Sequence, residues 1–206
     1  MVRDQKVSLR SKYKLILESE QSWSFSVIRN MTKVKPLTVW EIVIPIIFIF
    51  RYAKSKTEKE IFSKNLLFTK ELALKAAFRM INESKTRDEV MLQIDKKTNE
   101  ILATEKQGIY SESIRQEQLK EIGLLIEHYI RLLSADGTEY PSLVIDAYQD
   151  KENYLAFVDE LFKAEKEVNK ISLKTLGSRG DPETVTKIEK ASEKARISAV
   201  NKIFQS

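Results

Sequence analysis

One apolar run, IVIPIIFIF from Ile42 to Phe50, constrains this chain more than any other stretch. Only Glu41 interrupts its extension back to Leu37. A helix that crosses a bilayer needs about 20 predominantly apolar residues, so the run is too short to span; stretches of about 10 to 14 become either buried core helices or interfacial and re-entrant pieces. Its flanks favour the second fate. Trp40 and Tyr52 bracket the apolar centre, with Lys33 and Lys35 outside it on one side and Arg51, Lys54 and Lys56 on the other. Amphipathic rings at headgroup level with cations beyond them are the composition of a membrane interface. Pro45 cannot donate to the carbonyl of Glu41 and its ring crowds that turn, so the segment is expected to kink, dip into one leaflet and return.

Charge follows the same stretch. Residues 1–60 hold 12 Lys and Arg against 6 Asp and Glu, whereas the remainder holds 23 against 24, so the net charge of +5 belongs to the region of the apolar run. Each cation near an anionic leaflet is worth about 1 kcal/mol, and each buried Ile or Phe about 1.5–3 kcal/mol. The expected membrane-binding set is therefore Lys33, Lys35, Leu37, Trp40, Ile42, Ile44, Ile46, Ile47, Phe48, Phe50, Arg51, Tyr52, Lys54 and Lys56. Glu41, beside Trp40, is expected to lie at the interface or to pair with a nearby cation.

The rest of the chain reads as helix. With 5 Gly, 4 Pro and 32% charged residues, it predicts an all-α bundle of about five to seven helices, with the short Pro-kinked segment near its N-terminus. The division expected is residues 1–60, an N-terminal helix plus the apolar segment, and residues 61–206, the bundle. A helix is predicted from Val7 to Met31, weakened by its serines. A second begins at Thr57 with a Thr-x-x-Glu capping box and a wide apolar arc. A third runs from Thr86 to Gly108. A fourth opens at Ser113, with Leu119, Ile122, Ile126, Tyr129 and Leu133 forming a bundle seam. Pro141 and Asp150 start two more. A break at Gly177–Gly180 precedes a last helix capped by Asp181 and Pro182, whose thin stripe (Val185, Ile188, Ala195, Ala199, Ile203) suggests weak docking or a partner.

Few chemical motifs stand out. The absence of cysteine excludes disulfides, thiolate metal sites and cysteine nucleophiles. His128, the sole histidine, would need partners from other helices to act as a base, and the paired Glu-x-x-His pattern of di-iron bundles is missing. Gly177-Ser178-Arg179-Gly180 has the form of the KH-domain clamp, but a turn before a capped helix accounts for every residue. No phosphate loop or nucleophile elbow occurs. No cofactor or metal is expected, and nucleic acid is not favoured, because the basic excess is tied to the apolar run. The opening residues lack the apolar core of a secretory signal. The expectation is a non-enzymatic scaffold or tether on the cytoplasmic face of an anionic membrane, with a protein partner and room for a homo-oligomer. The alternatives are a soluble adaptor with the run as core or oligomer interface, and an enzyme working on a lipid substrate.

Overall fold

The structure is a computed structural model that describes residues 7–31, 58–106 and 108–205. Among these residues it is all-helical, as the sequence predicts. The elements are α1 (Leu9–Asn30), α2 (Glu58–Asn82), α3 (Arg87–Thr104), α4 (Glu112–Ser134), α5 (Tyr140–Tyr148), α6 (Lys151–Leu176), a 3-10 turn (Gly177–Arg179) and α7 (Pro182–Phe204). All of the expected membrane-binding residues, with Glu41, Pro45 and Thr57, lie outside the described residues.

Helix starts are set by side chains that accept from the otherwise unpaired N–H groups of the first turn. Ser8 accepts from the Ser11 N–H, Asp150 from Asn153, and Asp181 from Glu183 and Thr184. Thr86 and Glu89 form the reciprocal capping box read from the sequence. Two expected boundaries move. The third helix ends at Thr104 and not at Gly108, because the Thr104 hydroxyl turns back onto the carbonyls of Glu100 and Ile101 and the Glu105 carboxylate accepts from the Ile109 N–H. The fourth begins after Ser111 and not at Ser113, since the Ser111 hydroxyl accepts from Ile114 N–H.

α4 is the central helix. It packs chiefly on α2 and α6, while α1 lies along α2 and also meets α7, α4 and α5. Of the predicted seam, Ile122, Ile126, Tyr129 and Leu133 are buried and Leu119 is partly buried, while Ile114, Leu125 and Leu132 are buried as well. α4 is therefore enclosed on more than one side. At about 1.5–3 kcal/mol per enclosed side chain, this packing and not helix propensity fixes its position. Lys12 of α1 buries its ammonium at the C-terminus of α4, donating to the carbonyls of Leu133 and Ala135, where a cation meets the negative end of the helix dipole.

α7 corrects an expectation. Far from docking weakly, it buries Thr184, Val185, Ile188, Ala191, Ser192, Ala195, Arg196, Val200 and Ile203 along its whole length. Its small residues allow close approach, which a count of large apolar side chains misses. The 3-10 turn before it holds Gly177 at φ +55°, and Arg179 donates to the Gly108 carbonyl, tying that turn to the α3–α4 connection.

Candidate functional site: a buried ionic centre beside the root of the apolar segment

The last turn of α1 and the first turns of α2 meet in one apolar cluster. Val27, Ile28 and Met31 pack there with Phe62 and with Val185, Ile188, Ala191 and Ala195 of α7, and Trp23 and Leu66 lie against them. The hydroxyls of Ser24 and Ser63 pair at 2.7 Å between the two helices. The end of α1 and the start of α2 therefore lie together at one pole of the bundle.

Immediately inward from that cluster, four helices bring charged groups together. Glu165 of α6 takes both guanidinium nitrogens of Arg196 of α7, at 2.6 and 2.5 Å, and the Lys70 ammonium of α2 at 3.3 Å. Lys70 and Arg196 also each lie 4.7 Å from the centroid of the Trp23 ring, whose negative face attracts cations. Lys70 and Arg196 are 3% and 8% exposed, so these charges depend on their partners rather than on water. Burial pushes the Glu165 carboxyl up, but Arg196 and Lys70 outweigh it and hold the group down to about 2.

Glu121 of α4 is differently placed. Both nearby cations are bound to Glu165, and Glu121 receives one hydrogen bond, 2.7 Å from the Thr69 hydroxyl. Burial, and then the charge of Glu165, raise its carboxyl to about 7, although Lys70, Thr69 and Arg196 pull the other way. Glu121 lines a cavity of about 90 Å³ together with Trp23, Asn65, Thr69, Glu189 and Lys166. Two buried polar atoms, the Trp23 Nε1 and the Asn65 Oδ1, have no hydrogen-bond partner among the described residues. Native interiors rarely leave such atoms unpaired.

Across Trp23 lies a second cavity of about 60 Å³, reached by His128, Tyr140, Tyr154 and Phe157. His128 Nδ1 is 2.7 Å from the Tyr148 hydroxyl, and its ring stacks on Phe157 at 4.1 Å. Burial, helped by Lys70, Arg131 and Arg196, lowers its pKa to about 3, so the imidazole is neutral and structural near pH 7. The tyrosines around it shift upward: burial, followed by the neighbouring Glu20 for Tyr129 and by Tyr154 for Tyr140, keeps both phenols protonated. Tyr129 donates to Glu20 at 2.8 Å.

The sequence assigns no role to any member of the ionic centre, although Glu165 falls in the helical stripe of Tyr154, Leu155, Val158, Leu161, Phe162 and Val168. Gln118, Glu121, Leu125, His128 and Leu132 form a second 3-4 stripe on α4 beside the predicted seam, and a carboxylate within such a stripe is the available signal. Among the described residues no helix is long and apolar enough to cross a membrane, and no group of three or more His, Cys, Asp or Glu is placed to hold a metal. Comparison with protein-family models, curated proteins and solved structures returns no match.

Proposed function

We propose that this chain is a peripheral, non-enzymatic helical scaffold or tether, attached to one leaflet of an anionic membrane at its cytoplasmic face by Leu37 to Tyr52, with its later helices offering a surface to a protein partner. The observation that carries the reading is the shared root. Val27, Ile28 and Met31 at the end of α1 and Phe62 at the start of α2 belong to one cluster, so the two helix ends on either side of the basic-flanked apolar run meet at a single pole of the bundle. Helix ends that meet at one pole suit a connecting segment that dips into a leaflet and returns, and call for no helix of spanning length. The apolar residues and the cations supply the two signals that stable anchoring requires, since either alone gives marginal attachment.

Flotation with phosphatidylcholine vesicles, with and without phosphatidylserine, tests the reading. Wild-type protein is expected to float with the mixed vesicles, and Ile46→Arg to remain at the bottom with an unchanged helical circular dichroism spectrum. If Ile46→Arg unfolds the protein or dissociates an oligomer, the run is core or interface and the soluble-adaptor reading replaces this one.

A further inference from the structure

Away from the ionic centre, α2 and α3 form a hairpin with an open groove along it. Residues 83–86 join the two helices, and Arg79 of α2 donates to the Gln93 side chain of α3, so the helices run antiparallel. On α2, Leu72, Lys75, Ala76 and Arg79 follow 3-4 spacing. On α3, Val90, Gln93, Ile94 and Lys97 follow the same spacing, and the two stripes line a groove of about 120 Å³. Its floor is apolar and recessed, since Ala76, Val90 and Ile94 are buried, and its rim is basic. Among the described residues no Asp or Glu lines it. Glu83 bonds Arg79 at 2.9 Å at one end, and Glu71 lies near Lys97 at the other. Neither Lys75 nor Lys97 has a salt bridge among the described residues.

These charges are spread along the groove. Arg79 sits beside Gln93, whereas Lys97 lies 5.8 Å from the ring centroid of Phe68. Phe68 and Arg79 are about 16 Å apart along α2, with Lys75 between them. A single carboxylate or phosphate would meet one of these cations; an elongated anionic partner meets all three. The recess argues against a lipid surface, because hydrocarbon reaches apolar side chains that protrude and these do not. A channel between two stripes at 3-4 spacing has the shape that receives the ridge of a third helix.

We infer that the α2–α3 groove docks an acidic amphipathic helix of a protein partner, its apolar ridge over Ala76, Val90 and Ile94 and its flanking carboxylates facing Lys75, Arg79 and Lys97. Such docking rests on the partner-binding half of the proposed function and gives that partner a place and a charge; membrane attachment does not enter. The recessed floor leaves little apolar area to cover, and the lysine stems add to it, so the association is weak and salt-sensitive.

The test is a methyl NMR titration of the wild-type chain, without lipid, using a synthetic helical peptide of about 20 residues with Leu at 3-4 spacing, Glu beside it and Ala elsewhere. The Ala76, Val90 and Ile94 methyls are expected to shift saturably with a Kd of about 0.1–1 mM. Leu92, 70% exposed on the opposite side of α3, should stay fixed. A peptide with every Glu replaced by Lys should produce no shift. Lys75→Gln combined with Lys97→Gln should weaken binding about fivefold. Both positions are exposed, so the bundle is expected to fold; if it does not, the loss of wild-type affinity between about 0.05 and 0.5 M salt decides the matter. No shift at about 2 mM peptide, equal binding of the Lys-bearing peptide, or largest shifts outside the groove would overturn the proposal. So would perturbation of the same three methyls by phosphatidylserine vesicles and not by the peptide, which would assign the groove to the membrane. Because the titration contains no lipid, its failure leaves the flotation result standing, and the reverse holds equally.

Discussion

Glu121 and His128 stand about two helical turns apart on α4, and both are enclosed by the bundle. Burial drives each toward its neutral form, which raises the carboxyl and lowers the imidazole. Their surroundings nevertheless differ. The imidazole has a hydroxyl partner, an aromatic stack and a ring of tyrosines, and its neutral state is complete. The carboxyl lines a cavity with Trp23 and Asn65, each of which carries a buried polar atom without a partner among the described residues, and the cations within reach are engaged by Glu165. Enclosure of a titratable group is thus common to both regions, and the incomplete set of partners is what distinguishes the candidate site.

The largest effect is expected at the group that separates the two regions. Glu165→Gln removes the carboxylate that Lys70 and Arg196 both bond, leaving Glu121 as a carboxyl that neither bonds, and should destabilise the fold by about 3–5 kcal/mol in urea denaturation. A loss below about 1 kcal/mol would mean that both cations reach water, and the contrast between Glu121 and Glu165 would collapse.

The pH dependence of stability sharpens the comparison next. Glu121, with its folded pKa raised from 4.5 to about 7, contributes stability that is complete below about 4.5 and lost as pH rises through about 7. His128, with its folded pKa lowered from 6.5 to about 3, contributes stability that is complete above about 6.5 and lost as pH falls toward 3. Between pH 4.5 and 6.5 the two oppose each other, so the wild-type profile should be nearly flat there. Glu121→Gln should unmask a rise of about 2–4 kcal/mol with pH across that window, and His128→Leu a fall of similar size, both read from urea midpoints at fixed pH. Parallel profiles in the two variants would refute the assignment of opposite shifts.

The smallest effect lies in the aromatic region. Tyr148→Phe removes the hydroxyl that meets His128 Nδ1 and should cost about 1–1.5 kcal/mol, with a rise in the imidazole pKa measurable by NMR.

Much of the architecture could be read locally. Thr86 with Glu89, Asp150, and Asp181 before Pro182 mark helix starts by chemistry that acts over three or four residues, and the α4 seam follows from spacing alone. The ionic centre could not be read that way. Lys70, Glu121, Glu165 and Arg196 lie on four helices, each among other charged residues in the sequence, and their association depends on how α2, α4, α6 and α7 pack. Burial of Arg196 was hidden for the same reason: its neighbours Ser192 and Ala195 are small, so α7 looks weakly apolar although its fit is close. The expected membrane-binding set, by contrast, rests on composition and lies wholly outside the described residues.

The hydroxyl pair of Ser24 and Ser63 and the apolar cluster around it fasten the end of α1 to the start of α2. Helix ends clasped in this way keep their packing to each other, and the cost of closing a loop between fixed ends grows only slowly with its length. A polar stretch inserted between Met31 and Glu58 should therefore leave the clasp and the described helices intact.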